Sequence, residues 1–237
     1  LHARFLGLHA FLDAQSGRMR RAQRYIQRAF RVLPPASDKL EPMFPSFVYF
    51  FSGSHGLGSL RQADPNSRDK LHFLLRAACL TEDQAELTNL LREHAGTIKD
   101  TFALRHAKAL LDVFKSKKRK EPPLFEDLMP FVADDEASLN RFARNAVRAQ
   151  LYRLSGKNNQ ARKLVLEADL VLSKVEQGTA PPLIYLALHH RNALELGTRS
   201  GKSKNRQQLR DIQSKAQRFF KHYIKRGYTL FRSFVEE

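Results

Sequence analysis

One apolar stripe near the start of the chain constrains its fold more than any other feature. Its members recur every three or four residues along a predicted helix: Ala22, Ile26, Ala29 and Leu33. Gly17 interrupts the chain before this helix and Pro34 follows it, which predicts a helix over 18–33. The upstream segment offers the small residues Ala10 and Ala14 at the same kind of spacing, so the two segments are predicted to pair as an antiparallel hairpin. One hairpin cannot cover its own apolar face, so further helices must pack on it.

The same pattern returns 139 residues further along the chain. Ala149, Gly156, Ala161, Val165 and Ala168 stand where Ala10, Gly17, Ala22, Ile26 and Ala29 stand in the first hairpin. The offset is close to four units of about 34 residues, a period typical of helical repeat proteins. A second hairpin of the same kind is therefore predicted.

These two hairpins resemble the tetratricopeptide repeat, in which a small residue of the first helix packs against an alanine of the second. The resemblance implies hairpins stacked side by side, with the first helix of each pair lining a concave groove. Two positions depart from the family pattern in one copy each. The aromatic residue of the first helix is Tyr152 in the second copy but Asp13 in the first, and the closing proline is Pro34 in the first copy but Ser173 in the second.

The predicted fold class is all-α, an α-solenoid of roughly ten helices in antiparallel hairpins, with an unrelated helical bundle as the alternative. The clearest helices are predicted over 2–16, 18–33, 68–79, 82–95, 99–116, 136–154, 157–175, 181–197 and 204–226. Less regular helical turns are expected near 44–52 and 123–130, and a long loop over 52–69.

We expect two helical-repeat halves, residues 1–116 and 136–237, joined by a linker-like segment over 117–135 within one continuous domain. Leu1 stands in place of an initiator methionine. We therefore expect a fragment or a processed product, and a preceding domain could carry further activity.

The charge balance favours acidic partners. The chain has 41 Lys and Arg against 24 Asp and Glu, a formal net charge of +17. No apolar run approaches the ~20 residues of a membrane span, so no span is predicted. The single cysteine, Cys79, excludes an intrachain disulfide and a zinc site built mainly of thiolates. We expect a cytoplasmic protein in which Cys79 packs in the core.

No catalytic, metal-binding or cofactor-binding motif is predicted. Gly53, Gly56 and Gly58 are not followed by the Lys-Ser/Thr pair of a phosphate-binding loop. His189 and His190 would point about 100° apart on a helix, which disfavours a shared metal. No Gly-x-Ser-x-Gly nucleophile motif occurs. The chain is therefore predicted not to be an enzyme.

Basic residues form unmixed stripes on two predicted helices. A typical surface helix mixes signs, because like charges one turn apart cost a few tenths of a kcal/mol. The candidates for binding nucleic acid or another polyanion are Arg21, Arg24, Arg28, Arg31, Lys215, Arg218, Lys221 and Lys225. No nucleic-acid-binding motif accompanies them, so such binding would be largely nonspecific and sensitive to salt.

The tetratricopeptide resemblance implies another site, in the groove lined by the first helices. The groove candidates are Arg4, His9, Arg141, Arg144, Asn145 and Arg148. We predict a non-catalytic interaction scaffold or sensor module that binds a peptide or acidic surface of another protein there. Polyanion binding through the basic stripes, for instance in a regulator of gene expression, is the alternative.

Overall fold

A computed structural model describes residues 2–32, 43–52, 68–93, 101–116, 137–174, 182–196 and 203–235. These residues form ten α-helices and one 3₁₀ helix and contain no β-strand. The prediction of an all-α chain with roughly ten helices is confirmed. None of the described helices has both the length and the apolar character needed to cross a membrane.

The helices lie close to their predicted bounds. In chain order they are α1 (His2–Gln15), α2 (Met19–Val32), α3 (Met43–Phe51), α4 (Arg68–Thr81), α5 (Gln84–Glu93), α6 (Phe102–Lys115), α7 (Ala137–Leu154), α8 (Asn158–Lys174), α9 (Leu183–Glu195), α10 (Ser203–Lys225) and the 3₁₀ helix (Thr229–Phe234).

Small residues let the helices of the two predicted hairpins approach closely. The alanines at both crossings are fully buried: Ala10, Ala22, Ala29, Ala149, Ala161 and Ala168. Helix α1 packs on α2, and α7 packs on α8. The expectation that Ala22 and Ala161 face the interior is confirmed.

The turns of these hairpins are built alike. Gly17 and Gly156 have positive φ angles of 81° and 72°, the left-handed conformation that glycine adopts without strain. In each turn the residue after the glycine donates a backbone hydrogen bond to a carbonyl oxygen five residues earlier. Arg18 N donates to Asp13 O at 2.7 Å, and Lys157 N donates to Tyr152 O at 2.8 Å. Both helices therefore end in a Schellman motif.

A third turn, between α4 and α5, has the same hydrogen bonds without a glycine. Asp83 donates its amide proton to Ala78 O at 3.0 Å, and Glu82 has a φ of 59°. A side chain in this conformation is strained. Asp83 then caps α5, because Glu86 donates its amide proton to Asp83 Oδ1 at 2.9 Å.

The segment predicted as a less regular turn near 44–52 is a regular helix, α3. Pro45 lies in its first turn, where a missing amide proton costs little. Phe47 and Phe51 lie one turn apart, with ring centroids 4.7 Å from each other, and both are buried. Burial of these rings stabilises a helix that sequence periodicity alone does not predict.

The chain divides into two compact units. Unit 1 comprises Leu1–Ala77 and Arg218–Glu237, and unit 2 comprises Ala78–Gln217, so α4 and α10 contribute residues to both. This division differs from the halves expected over 1–116 and 136–237. Unit 1 includes residues from both ends of the sequence because the end of the chain packs on the first helices.

Tyr228 is the centre of that packing in unit 1. Its side chain is fully buried, and its hydroxyl donates a hydrogen bond to Ala14 O. Thr229 donates through Oγ1 to Ser52 O, and the ring of Phe231 lies 5.5 Å from that of Phe51. The 3₁₀ helix was not predicted, because it has no helical periodicity of its own.

Three predicted features lie outside the described residues. They are the linker-like segment over 117–135 with the helical turn near 123–130, nearly all of the loop over 52–69, and the glycines Gly53, Gly56 and Gly58 within that loop.

Candidate partner-binding surface

Exposed apolar side chains are concentrated on the α1–α2 hairpin. Among the described residues, five large apolar side chains are strongly exposed. Their exposed fractions are 60% for Phe5, 42% for Leu8, 50% for Leu12, 55% for Val32 and 56% for Leu170. Four of the five therefore lie on one hairpin, the concentration expected of an interaction surface.

Phe5, Leu8 and Leu12 form one line along α1, hereafter the α1 row. They are three and four residues apart, which places them on one face of the helix. The opposite face is buried against the rest of unit 1: Ala3, Leu6, Ala10 and Ala14. Helix α1 thus has one apolar face inside the fold and a second one outside it.

The α1 row has a boundary on each side. On one side Phe11 packs on α3, with its ring centroid 5.3 Å from Phe44 and 5.2 Å from Phe47. On the other side His9 lies against α2, with its ring centroid 5.8 Å from that of Tyr25. The His9 ring also contacts Phe5 edge-on at 4.4 Å, so this predicted groove residue borders the row.

The exposed surface of the α1–α2 hairpin is basic. Every arginine of residues 2–32 is exposed: Arg4, Arg18, Arg20, Arg21, Arg24, Arg28 and Arg31. The one acidic residue in this range, Asp13, is buried. Its carboxylate pairs with Arg18 Nε at 2.8 Å and Arg21 Nε at 3.0 Å. An approaching partner therefore meets positive charge beside apolar side chains.

The remaining predicted groove residues belong to unit 2. Arg141 is exposed and lines a surface cavity of about 210 Å³ together with Glu167, Leu170 and Lys174. Arg144 and Arg148 are half-buried. Since Arg4 and His9 belong to unit 1, neither unit holds all six candidates.

Two of these groove candidates are engaged in or enclosed by the fold of unit 2. The guanidinium of Arg148 lies 5.9 Å from the ring centroid of Tyr152, which is a cation–π distance. Asn145 is only 7% exposed.

The polyanion candidates all lie on exposed helix faces, and some of them have partners within the fold. Arg21 pairs with Asp13 and donates through Nη2 to the Tyr25 hydroxyl at 3.0 Å. On α10, Lys215 Nζ lies 3.1 Å from Asp169 Oδ2. The other exposed members are Arg24, Arg28, Arg31, Arg218, Lys221 and Lys225.

Unit 2 contains a buried polar network that the sequence did not indicate. Glu82 accepts hydrogen bonds from Arg153, from Arg191 Nη2 at 3.0 Å and from Gln150 Nε2 at 3.0 Å. Arg153 also donates to Glu195. The network joins α7 and α9 to the turn between α4 and α5, so it links elements that are distant in sequence.

The histidines of unit 2 that the structure describes, and its cysteine, are likewise enclosed. His106 is buried, with Nε2 2.8 Å from Gln150 Oε1. Burial lowers the pKa of His189 to about 4 and raises the pKa of the Cys79 thiol. Among the described residues, no group of three or more His, Cys, Asp or Glu side chains could hold a metal ion.

No protein-family model, curated protein or solved structure matches this chain. The likeness to tetratricopeptide repeats therefore rests on the two hairpins themselves. The α1 row was missed at the sequence level, although the spacing of Phe5, Leu8 and Leu12 was a usable signal. An apolar residue on the outer face of a helix cannot be told from a core residue until its neighbours are known.

Proposed function

We propose that this protein is a non-catalytic interaction module that binds an acidic, apolar segment of a partner protein through its α1–α2 hairpin. The observation that carries the proposal is the α1 row beside exposed arginines, with the only acid of residues 2–32 buried. The proposal includes a tetratricopeptide-like α-solenoid, supported by the two equivalent hairpins. It also includes a cytoplasmic location, which agrees with a lone cysteine buried as a thiol.

Apolar burial and charge would contribute in different ways. Transfer of a fully buried Leu or Phe side chain from water is worth about 1.5–3 kcal/mol, so the α1 row can supply much of the affinity. The arginines supply long-range attraction and charge-assisted hydrogen bonds to carboxylates. The proposal therefore requires a partner with both properties and disfavours one that is only acidic.

Polyanion binding remains the second candidate, because all eight of its predicted residues are exposed on two helices of the described chain. A polyanion would use these charges alone. Its affinity would fall steeply with salt as counterions are released, and the α1 row would be irrelevant to it.

The test compares three fluorescent probes by anisotropy. They are a Leu/Glu peptide with leucines at helical spacing, a scrambled peptide of the same composition, and polyuridylate RNA. We expect the ordered peptide to bind at least about tenfold more tightly than the scrambled one, since only its leucines can reach the α1 row together.

Matched variants assign the binding to the surface. Leu8→Glu should abolish binding of the ordered peptide, whereas Leu170→Glu should leave it unchanged. Both replace an exposed leucine by the same charge, so they differ in location and not in chemistry. If all three probes bind with equal affinity, and Leu8→Glu does not change that affinity, the result would instead support polyanion binding.

A further inference from the structure

We infer that the partner segment binds as an α-helix lying along α1, with apolar residues on the α1 row and acidic residues facing the arginines on both sides. This inference rests on the proposed function and specifies the conformation and pattern of the ligand. Three observations support it: a comparison of the two hairpins, the length of the α1 row, and the charges on the α1–α2 hairpin.

The second hairpin of this chain buries two of the three positions that the α1 row exposes on the first hairpin. At the offset of 139 residues, Leu8 corresponds to Val147 and Leu12 to Leu151. Both Val147 and Leu151 are fully buried. Two positions of the row are thus interior in unit 2 and exterior in unit 1, whereas Phe5 corresponds to the half-buried Arg144.

Several helices pack on α7 in unit 2. The described elements that pack on α7 are α6, α8 and α9. Next to Leu151, Gln150 contacts α6 through His106 at 2.8 Å. Because helices pack on α7, where two counterparts of the α1 row are buried, a helix is the occupant whose shape we expect to suit the α1 row.

The length of the row agrees with a helical ligand. From Phe5 to Leu12 the row covers two turns of α1, about 10 Å at the α-helical rise. A partner helix matches this length with apolar residues at i, i+3 or i+4, and i+7. An extended peptide usually gains its affinity by pairing with an exposed sheet edge, and the described part of the chain has no strand.

The charges fix the pattern on the partner helix. Arg4 is exposed on α1, next in sequence to Phe5, and Arg24 and Arg28 are exposed on α2, which packs beside α1. A carboxylate accepts paired hydrogen bonds from a guanidinium. Glu or Asp residues flanking the apolar line of the partner would therefore find arginines, whereas basic residues there would be repelled.

An anionic membrane is the competing occupant, because an apolar line beside arginines can also lie at a lipid surface. The buried counterparts Val147 and Leu151 favour a protein helix, since the chain itself covers that row with protein and not with lipid. Membrane binding is therefore one of the outcomes that the test distinguishes.

The experiment adds a proline to the ordered Leu/Glu peptide. Proline in a helix interior disfavours the helix strongly but leaves an extended chain and the net charge intact. We expect the proline peptide to bind at least about 30-fold more weakly, since a strongly disfavoured helix reduces the binding-competent fraction. The helical circular dichroism signal of the ordered peptide mixed with protein should also exceed the sum of the two separate signals. We expect this gain with the wild-type protein and with Leu170→Glu, but not with Leu8→Glu.

Each result has a distinct meaning. Equal binding of the two peptides, with no gain of helical signal, overturns the helical inference and leaves the proposed function standing. If neither peptide binds, the proposed function itself fails. Tighter, Leu8-dependent binding to phosphatidylserine vesicles than to the peptide overturns the inference in favour of a membrane. Leu8-dependent self-association at the same concentrations overturns it in favour of a second copy.

Discussion

Single residues decide how charge is buried in this fold. Tyr152 occupies the aromatic position of the second hairpin, and the Lys157 ammonium lies 6.0 Å from its ring centroid. In the first hairpin the equivalent residues are Asp13 and Arg18, which form an ion pair at 2.8 Å. In both hairpins a cation just after the turn thus interacts with a side chain near the end of the first helix. The interaction is cation–π in the second hairpin and an ion pair in the first. From the sequence, Asp13 looks like a departure from the repeat pattern, because its partners cannot be identified without the turn geometry.

Glu82 combines a strained backbone with a buried carboxylate, and two substitutions separate these effects. Glu82→Ala removes one of the two carboxylates that pair with Arg153 and Arg191, leaving the more exposed Glu195, and keeps the strain of the left-handed conformation. We expect it to lower the free energy of unfolding by about 3–5 kcal/mol, because two guanidinium groups lose their buried counter-charge. Glu82→Gly relieves the strain, so its loss should be smaller by about 1 kcal/mol. Urea denaturation measures both, and equal losses would contradict the strain.

His189 should make the protein sensitive to mild acid. Burial lowers its pKa from 6.5 to about 4, with Asp169 raising and Lys215 lowering it by smaller amounts. The unfolded chain takes up a proton below about pH 6.5, whereas the folded chain does so only near pH 4. The contribution of neutral His189 to the free energy of unfolding is therefore complete above pH 6.5 and is lost as the pH falls toward 4. At pH 5 the loss is about 2 kcal/mol, and burial of His190, which also lowers its pKa, acts in the same direction.

The measurement is the free energy of unfolding at about pH 7.5 and about pH 5 for matched variants. His189→Leu removes the titrating group and should shrink the difference between the two values by about 2 kcal/mol. His222→Leu is the control, because His222 is exposed on α10. If the free energies of unfolding at the two pH values differ as much in His189→Leu as in the wild type, His189 is not the cause of the acid sensitivity.

Elements were predictable from the sequence where small residues and helical spacing coincide. The α1–α2 and α7–α8 hairpins lie close to their predicted bounds, because glycine turns and alanine crossings leave local signals. Helix α3 and the 3₁₀ helix were not predicted as such. Their stability comes from contacts distant in sequence, such as Phe51 with Phe231. The outward face of α1 was also missed, since its exposure depends on which elements pack nearby.

The crossings give a prediction at the scale of a helix pair. Ala161→Leu places a large side chain where α7 and α8 meet, and Ala161 is fully buried there. We expect the helices to be forced apart, with a loss of about 1–3 kcal/mol in the free energy of unfolding, measured by urea denaturation. Ala85→Leu makes the same chemical change at an exposed position of α5 and should change stability by less than about 0.5 kcal/mol. Equal effects would mean that close approach of α7 and α8 does not depend on Ala161.

At the scale of the whole molecule, the formal net charge of +17 sets a field that any acidic ligand feels. Two double variants separate this field from a local surface. Arg24→Glu with Arg28→Glu changes α2, which packs on α1, and Lys221→Glu with Lys225→Glu changes α10. Each pair of reversals lowers the net charge from +17 to +13. If only the overall field mattered, the two variants would bind the acidic Leu/Glu peptide equally.

We expect them to differ. The α2 variant should lose at least about tenfold in peptide affinity, because two guanidinium groups on the helix that packs on α1 become repulsive carboxylates. The α10 variant should lose only the smaller, salt-sensitive part that comes from net charge, and stopped-flow association rates at low and moderate salt would isolate that part. Equal losses in both variants, accompanied by equal losses of polyuridylate binding, would assign the interaction to the basic stripes. The positive charge of this protein would then act without the apolar row, and an acidic ligand of any conformation would suffice.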